Sequence, residues 1–228
     1  MKKTLTLKTG IAVVFATVLS TATLFGSLAS TSAVASQDQT EDSTSMQRYQ
    51  TQHHTVKIDG VDIFYREAGP ADAPTIVLLH GFPTSSHMFR NLIPALSDRF
   101  HVIAPDYPGF GNSAKPDVSE FDYSFDNLAN LMEKLVDKLE VKKYSLYLMD
   151  YGAPIGFRMA SGNPQRIESL IIQNGNAYDE GLREFWDPIR KYWVNRTAEN
   201  AGPLANFITL EGVKWQYTHG VRNEASIS

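Results

Sequence analysis

The sequence predicts a doubly wound α/β domain with a mostly parallel sheet, followed by an aromatic helical region. Short apolar runs that suit buried strands alternate with segments whose apolar residues recur every three or four positions, as in helices. The run Thr75–Leu79 is rich in β-branched residues, which is typical of a central parallel strand. The segment Phe125–Leu139 concentrates its apolar residues on one helical face.

The N-terminus carries an export signal. Three lysines precede an apolar run without acidic residues, from Ile11 to about Leu28, and Ala33-Val34-Ala35 matches a small-x-small cleavage site. This pattern predicts a signal peptide over residues 1–35, cleavage after Ala35 and a periplasmic or secreted protein. An uncleaved membrane anchor is the alternative, and the Thr and Ser residues that interrupt the run disfavour it. The polar residues 36–52 predict a disordered linker.

Composition limits the partners, cross-links and metal sites that this chain can have. The 228-residue chain has a net charge of −4, and signal cleavage would remove three lysines but no acid. A mildly acidic mature chain disfavours nucleic acid and anionic membranes as partners. The chain has no cysteine, which rules out disulfides and thiolate metal sites. We expect no cofactor and no metal, and the sequence leaves the oligomeric state open.

The predicted core, residues 53–175, can be followed element by element. Asp59-Gly60 predicts a hairpin turn, and Ser85 or Ser86 and Ser124 are predicted helix caps. The predicted strands are 56–58, 61–66, 75–79, 100–104, a run ending at 149, and 167–173, and the predicted helices follow residue 86, run from 125 to 139 and end at 162. Residues 176–228 are aromatic and helical without a strand signal.

Asp150 stands where a predicted strand, with its apolar run at 146–149, meets a helix that begins with small residues. A sharp strand-to-helix turn exposes the side chain at the turn and aims the following backbone N–H groups at its reaction partner. A carboxylate in that place is a candidate covalent nucleophile. The simpler alternative is an ordinary helix N-cap, for which Asp is a preferred residue.

A second motif, His80-Gly81-Phe82-Pro83, also follows an apolar strand. Together the two motifs resemble the α/β-hydrolase superfamily, in its aspartate-nucleophile branch of epoxide hydrolases and haloalkane dehalogenases. The likeness covers about residues 56–221 and implies the α/β-hydrolase fold, with residues 176–228 as the start of a helical cap. It also implies that Asp150 attacks a carbon bearing halide or epoxide oxygen, and that the N–H groups of Phe82 and Tyr151 form the oxyanion hole. A serine esterase is disfavoured because the chain lacks Gly-x-Ser-x-Gly.

The motifs combine features of epoxide hydrolases with features of haloalkane dehalogenases. Well-known dehalogenases bind halide with Asn and Trp side chains at the positions of Phe82 and Tyr151, whereas His-Gly-Phe-Pro resembles epoxide hydrolases. Leu148-Met149 and residues 83–86 resemble the dehalogenases instead. We prefer epoxide opening of a small apolar substrate, because Phe82 cannot donate to a halide. Trp186 and Tyr217 are predicted substrate contacts, with Tyr217 as the phenol that protonates the opening oxygen; packing is their alternative role.

The second half of the implied mechanism needs an acid and a His that activates water. In the family the acid follows the sixth or seventh strand, where this chain has the neutral Asn174, and the His follows the eighth. The chain ends at Ser228 inside the resembling cap, so we expect the last strands to be missing, with an exposed apolar sheet edge that favours aggregation. In this interpretation four histidines have structural or surface roles: His80, His87, His101 and His219. The alternative to an enzyme is therefore an inactive hydrolase-like or ligand-binding protein.

Overall fold

The computed structural model describes residues 49–227, which form one six-stranded sheet flanked by helices. The predicted signal peptide and residues 36–48 of the predicted linker lie outside this range. The linker prediction was one residue too long, since β1 begins at Gln52. The strands are β1 (Gln52–Ile58), β2 (Val61–Ala68), β3 (Thr75–Leu79), β4 (His101–Pro105), β5 (Tyr144–Met149) and β6 (Ile167–Gln173).

The strand order β1-β2-β4-β3-β5-β6 shows a doubly wound sheet. β1 and β2 form the predicted hairpin and pair antiparallel, as do β2 and β4, while β3, β4, β5 and β6 are mutually parallel. Parallel strands end at the same edge, so the segments that follow β3, β4, β5 and β6 meet there. The predicted fold class is confirmed by this topology.

Within residues 49–227, six α-helices follow the strands or form the C-terminal region: α1 (Leu92–Leu96), α2 (Phe125–Lys138), α3 (Gly152–Gly162), α4 (Asp187–Val194), α5 (Ala198–Ala205) and α6 (Leu210–Thr218). Ser124 caps α2 as predicted, because its side chain accepts a hydrogen bond from the Asn127 N–H at 3.3 Å.

The helix predicted to run from Ser85 or Ser86 through Leu96 is wrong as one element. The structure has a 3-10 turn at Ser86–Phe89, capped by Ser85, and a separate α1. Pro94 explains the interruption, because in a continuous helix it could not donate to the Arg90 carbonyl. In the first turn of α1 its missing N–H costs nothing, since N–H groups there have no helical acceptor.

The two faces of the sheet bury separate apolar clusters. Alternate residues of β3 point to opposite sides: Ile76 and Leu78 pack with Ile93 of α1, whereas Val77 and Leu79 pack with the cluster that includes α2 and α3. This alternation follows from the two-residue period of a strand. Both β3 and β5 are therefore packed on their two faces, and the segments that carry Phe82 and Asp150 follow their carboxyl ends.

β6 is an edge strand with exposed apolar side chains. Ile171 is 43% and Ile172 is 51% exposed to solvent. The predicted apolar edge is thus present, while aggregation remains a prediction. Within residues 49–227, none of the helices has both the length and the apolar character needed to cross a membrane.

Candidate functional site

The turn between β5 and α3 places Asp150 at the carboxyl edge of the sheet. Asp150 has a positive φ of 47°, a left-handed conformation that Asp tolerates better than most residues. Gly152 opens α3 so close to β3 that an added Cβ would collide with the Leu79 carbonyl. The tight turn therefore depends on a small residue two positions after the carboxylate, as the sequence predicts.

The Asp150 carboxylate lies in a cradle of backbone donors. Its Oδ1 accepts hydrogen bonds from the Phe82 N–H at 2.7 Å and from the Tyr151 N–H at 2.6 Å. Gly81 makes this approach possible, because a Cβ there would lie 2.6 Å from the Asp150 Cβ. The structure thus brings together the three residues predicted as nucleophile and oxyanion donors, while their catalytic roles remain predictions.

His80 supports the cradle from inside the core. The fully buried imidazole has Nδ1 at 2.9 Å from the Gly81 carbonyl oxygen, and the Tyr107 N–H donates to Nε2 at 3.4 Å. Burial lowers the pKa of His80. Both ring nitrogens are therefore engaged in a neutral imidazole that holds the loop, as the resemblance implied.

A buried carboxylate that the sequence analysis did not single out joins two loops at this edge. Asp106, directly after β4, accepts hydrogen bonds from the Ser86 N–H at 2.7 Å and from the Asn112 N–H at 2.9 Å. The signal that could have found it is a lone carboxylate immediately after a wholly buried strand. Its two bonds fix the loop after β4 against the segment that contains Phe82.

Aromatic rings surround the cradle. The Tyr151 ring centroid lies 5.6 Å from that of Phe82, 6.0 Å from Phe110 and 5.0 Å from Phe125. Burial, and secondarily the charge of Asp150, raises the pKa of the Tyr151 phenol, so this group stays neutral at physiological pH. A group of apolar rings with a neutral phenol beside a carboxylate suits an uncharged organic ligand better than a charged one.

The predicted substrate contacts, Trp186 and Tyr217, lie in the C-terminal helical region. The Trp186 ring pairs with the rings of Phe185 and Trp193, and Tyr217 on α6 is 59% exposed. Among residues 49–227, neither side chain is hydrogen-bonded to Asp150. Their roles in substrate binding stay predictions.

No histidine of this chain is hydrogen-bonded to Asp150 within the part that the structure describes. His101 in β4 is buried and lies 2.6 Å from Glu67, His87 is exposed, and His219 stacks on Trp215 at the end of α6. The residue at the predicted sixth-strand position, Asn174, is exposed. Residues 49–227 contain no group of three or more His, Cys, Asp or Glu side chains suited to a metal ion.

The fold and the cradle define an α/β hydrolase, and comparison with known proteins agrees. The sequence model described as "alpha/beta hydrolase fold" matches residues 74–216, more than half of the chain. The chain belongs to this family. The resemblance noted from the motifs around Asp150 and His80 is thereby confirmed.

The similar proteins include one named for each of the two candidate reactions. An uncharacterized hydrolase of Saccharomyces cerevisiae is 53% identical over 142 residues, which cover 61% of this chain and 48% of that protein. A haloalkane dehalogenase of Psychrobacter cryohalolentis is 39% identical over 113 residues, covering 49% and 37%. The solved structure of epoxide hydrolase A from Mycobacterium thermoresistibile aligns with a TM-score of 0.51 and 32% identity, covering 54% and 39%. The chain spans less than half the length of each of these three proteins.

Proposed function

We propose that this chain carries the nucleophile and oxyanion donors of a hydrolase that opens epoxides through an alkyl-enzyme ester on Asp150. The observation that carries the proposal is the double hydrogen bond from the Phe82 and Tyr151 N–H groups to one oxygen of Asp150. A merely structural N-cap would accept from its own helix alone. Here one of the two donors comes from a loop 68 residues away.

The two oxygens of Asp150 have different tasks in this proposal. Oδ1 is fixed by the two N–H groups, whereas Oδ2 accepts no hydrogen bond from the residues described and is the attacking atom. Oδ2 forms a bond to an epoxide carbon, the ring C–O bond breaks, and its electron pair goes to the ring oxygen, which takes up a proton. Oδ1 becomes the ester carbonyl and stays in the cradle, where N–H groups stabilise the oxyanion that forms when water attacks the ester.

Phe82 favours epoxide over halide as the leaving group. Its backbone N–H is committed to Asp150, and its side chain has no donor for a departing halide. An epoxide oxygen is instead neutralised by a proton, for which Tyr217 is the proposed source. The aromatic wall around Tyr151 supports a small apolar organic substrate.

Halide displacement is the second candidate, and the haloalkane dehalogenase relative with 39% identity favours it. The same ester forms in both cases, so only the leaving group separates the candidates. A protein that binds an apolar ligand without reacting is the non-catalytic alternative. The lack of a histidine bonded to Asp150 in residues 49–227 supports this third possibility.

The test is covalent labelling of the full chain. The folded protein is incubated with a reactive epoxide or with a bromoalkane, and the tryptic peptide 144–158 is mapped by mass spectrometry. We expect the mass of the epoxide to be added at Asp150 and absent from the Asp150→Asn variant. The exposed Asp122, in the tryptic peptide that ends at Lys134, is mapped in the same digest as an internal control and should stay unmodified.

The outcomes separate the candidates. An adduct with the epoxide alone supports epoxide opening, and an adduct with bromoalkane alone supports dehalogenation. Tight reversible binding of the apolar reagent without an adduct, in a chain with a folded circular-dichroism spectrum, would refute the nucleophile. Export is proposed separately, from residues 1–35, and N-terminal sequencing of the mature protein should begin at Ser36.

A further inference from the structure

Asn174 leaves the sheet next to Asp150. Met149 of β5 pairs with Gln173 of β6 in the parallel ladder, so the residues that follow them, Asp150 and Asn174, are neighbours at the carboxyl edge. Adjacent strands lie about 4.8 Å apart. Both residues have a φ of 47°, so each turns the chain sharply out of the sheet. A chemical change at Asn174 therefore takes place one strand away from the carboxylate.

Asn174 combines the features that allow an asparagine to cyclise. It is exposed, it is followed by glycine, and its side-chain amide has no hydrogen-bond partner among residues 49–227. The Gly175 N–H also donates to no acceptor in that part of the chain. Gly175 has no Cβ to hinder the approach of its nitrogen to the Asn174 side chain.

Asn176 provides a contrast two residues further on. Its side-chain amide donates to the Tyr178 carbonyl at 3.2 Å, and the residue after it is Ala177. The hydrogen bond restrains the amide, and the Ala177 methyl group hinders cyclisation. In the whole 228-residue sequence, Asn174 is the one asparagine that precedes a glycine.

We propose that Asn174 is a site of spontaneous deamidation, with aspartate and isoaspartate as its products. The Gly175 nitrogen bonds to the side-chain carbonyl carbon of Asn174 and loses its proton, and the C–N bond to the side-chain amide breaks with release of ammonia. Water then opens the five-membered imide at either carbonyl. Attack at one carbonyl gives aspartate, and attack at the other moves the chain into the side chain and gives isoaspartate.

The packing around Gly175 limits which residue can follow Asn174. A Cβ on Gly175 would lie 2.6 Å from the Ala153 Cβ in the first turn of α3, so a larger residue cannot replace the glycine without a shift. The close packing that forms the site thus retains the residue that makes Asn174 labile.

The consequence for reactivity rests on the proposed function. A new carboxylate one strand away from Asp150 adds a like charge, which favours the protonated form of one of the two groups. The deamidated chain should therefore attack an epoxide several-fold more slowly in mildly acidic buffer, and the difference should shrink as the pH rises.

The first experiment measures deamidation without reference to activity. The folded full chain is incubated in mildly alkaline buffer, and the tryptic peptide 167–183, which contains both asparagines, is followed by fragment-ion mass spectrometry. We expect Asn174 to gain about one dalton and to convert roughly tenfold faster than Asn176, because Gly175 lacks a Cβ. Equal conversion at the two positions, or none at Asn174, would overturn the proposal.

The second experiment tests the consequence with defined variants. Asn174→Asp represents one product, and Asn174→Gln keeps a neutral amide that cyclises far more slowly. We expect the Asp variant to label more slowly than the Gln variant at peptide 144–158, with the pH dependence described above. Equal rates across the pH range would overturn the inferred effect on reactivity. Absence of labelling in every variant would refute the proposed function and leave the measured deamidation standing.

Discussion

Replacing Gly81 by alanine tests whether the cradle positions the nucleophile. The added Cβ would lie 2.6 Å from the Asp150 Cβ, 2.9 Å from its Oδ1 and 3.1 Å from its Cγ. Carbon atoms in contact normally lie about 3.5–4.0 Å apart. The Asp150 side chain or the loop that carries Phe82 must therefore move by about 1 Å to restore a normal separation.

A shift of this size has a large expected effect on reactivity. Misplacing a reacting group by about 1 Å costs about a hundredfold in rate, and losing one oxyanion donor costs about a hundredfold to a thousandfold. We therefore expect the rate of Asp150 labelling to fall by about a hundredfold in the Gly81→Ala variant. The fold should survive, because the three atoms nearest to the added methyl group all belong to the Asp150 side chain at the edge of the sheet.

The assay compares labelling rates of the wild-type chain, Gly81→Ala and Gly162→Ala, by the mass of peptide 144–158. Gly162 is the last residue of α3, and an added Cβ there would meet nothing within 4 Å. This control should label at the wild-type rate and show that a glycine-to-alanine change as such is harmless. A folded Gly81→Ala chain that labels within a few-fold of the wild type would refute the role of the cradle.

Three further predictions concern stability, measured by urea unfolding. Glu67→Gln should lose about 1.5 kcal/mol at neutral pH, because the carboxylate accepts a charge-assisted hydrogen bond from His101 at 2.6 Å. That bond lowers the pKa of Glu67, so the wild-type advantage is present above the unfolded-state pKa and disappears as the pH falls through the lower folded-state value. Arg166→Ala should lose about 3 kcal/mol, since it leaves the largely buried Glu133 without its cation. Leu146→Ala should also lose about 3 kcal/mol, because its fully buried side chain leaves a cavity in β5.

Each stability prediction has an exposed control. Asp62→Asn breaks an ion pair with Lys57 in which the two side chains are 52% and 62% exposed. Arg99→Ala removes a side chain that is 71% exposed, and Val118→Ala truncates a residue that is 82% exposed. All three controls should stay within about 0.5 kcal/mol of the wild type. A Glu67→Gln chain that keeps the wild-type pH dependence would contradict the first prediction. Losses no larger than those of the matched controls would contradict the other two.

The strands and long helices were predictable because local chemistry determines them. The run Thr75–Leu79 is buried at every position, and the apolar face of Phe125–Lys138 packs onto the sheet as its spacing predicts. The segment after Ser85 was mispredicted because its apolar spacing resembles a helix, while Pro94 removes one hydrogen bond that the helix would need. Periodicity describes side chains and says nothing about a missing backbone donor.

The site was predictable in part for the same reason. The sequence places Asp150 at a strand end and His80-Gly81-Phe82 at another, and parallel strands bring such ends to one edge. The hydrogen bond from Phe82 to Oδ1 depends on the rotamer of Asp150 and on a close approach across 68 residues, which no local pattern encodes. The pairing of Asp150 with Asn174 likewise depends on the register between β5 and β6, which has a shift between Tyr144 and Leu146. A register displaced by one residue would separate the two turns, so the ladder that positions the proposed nucleophile also decides which neighbouring side chain can alter its charge.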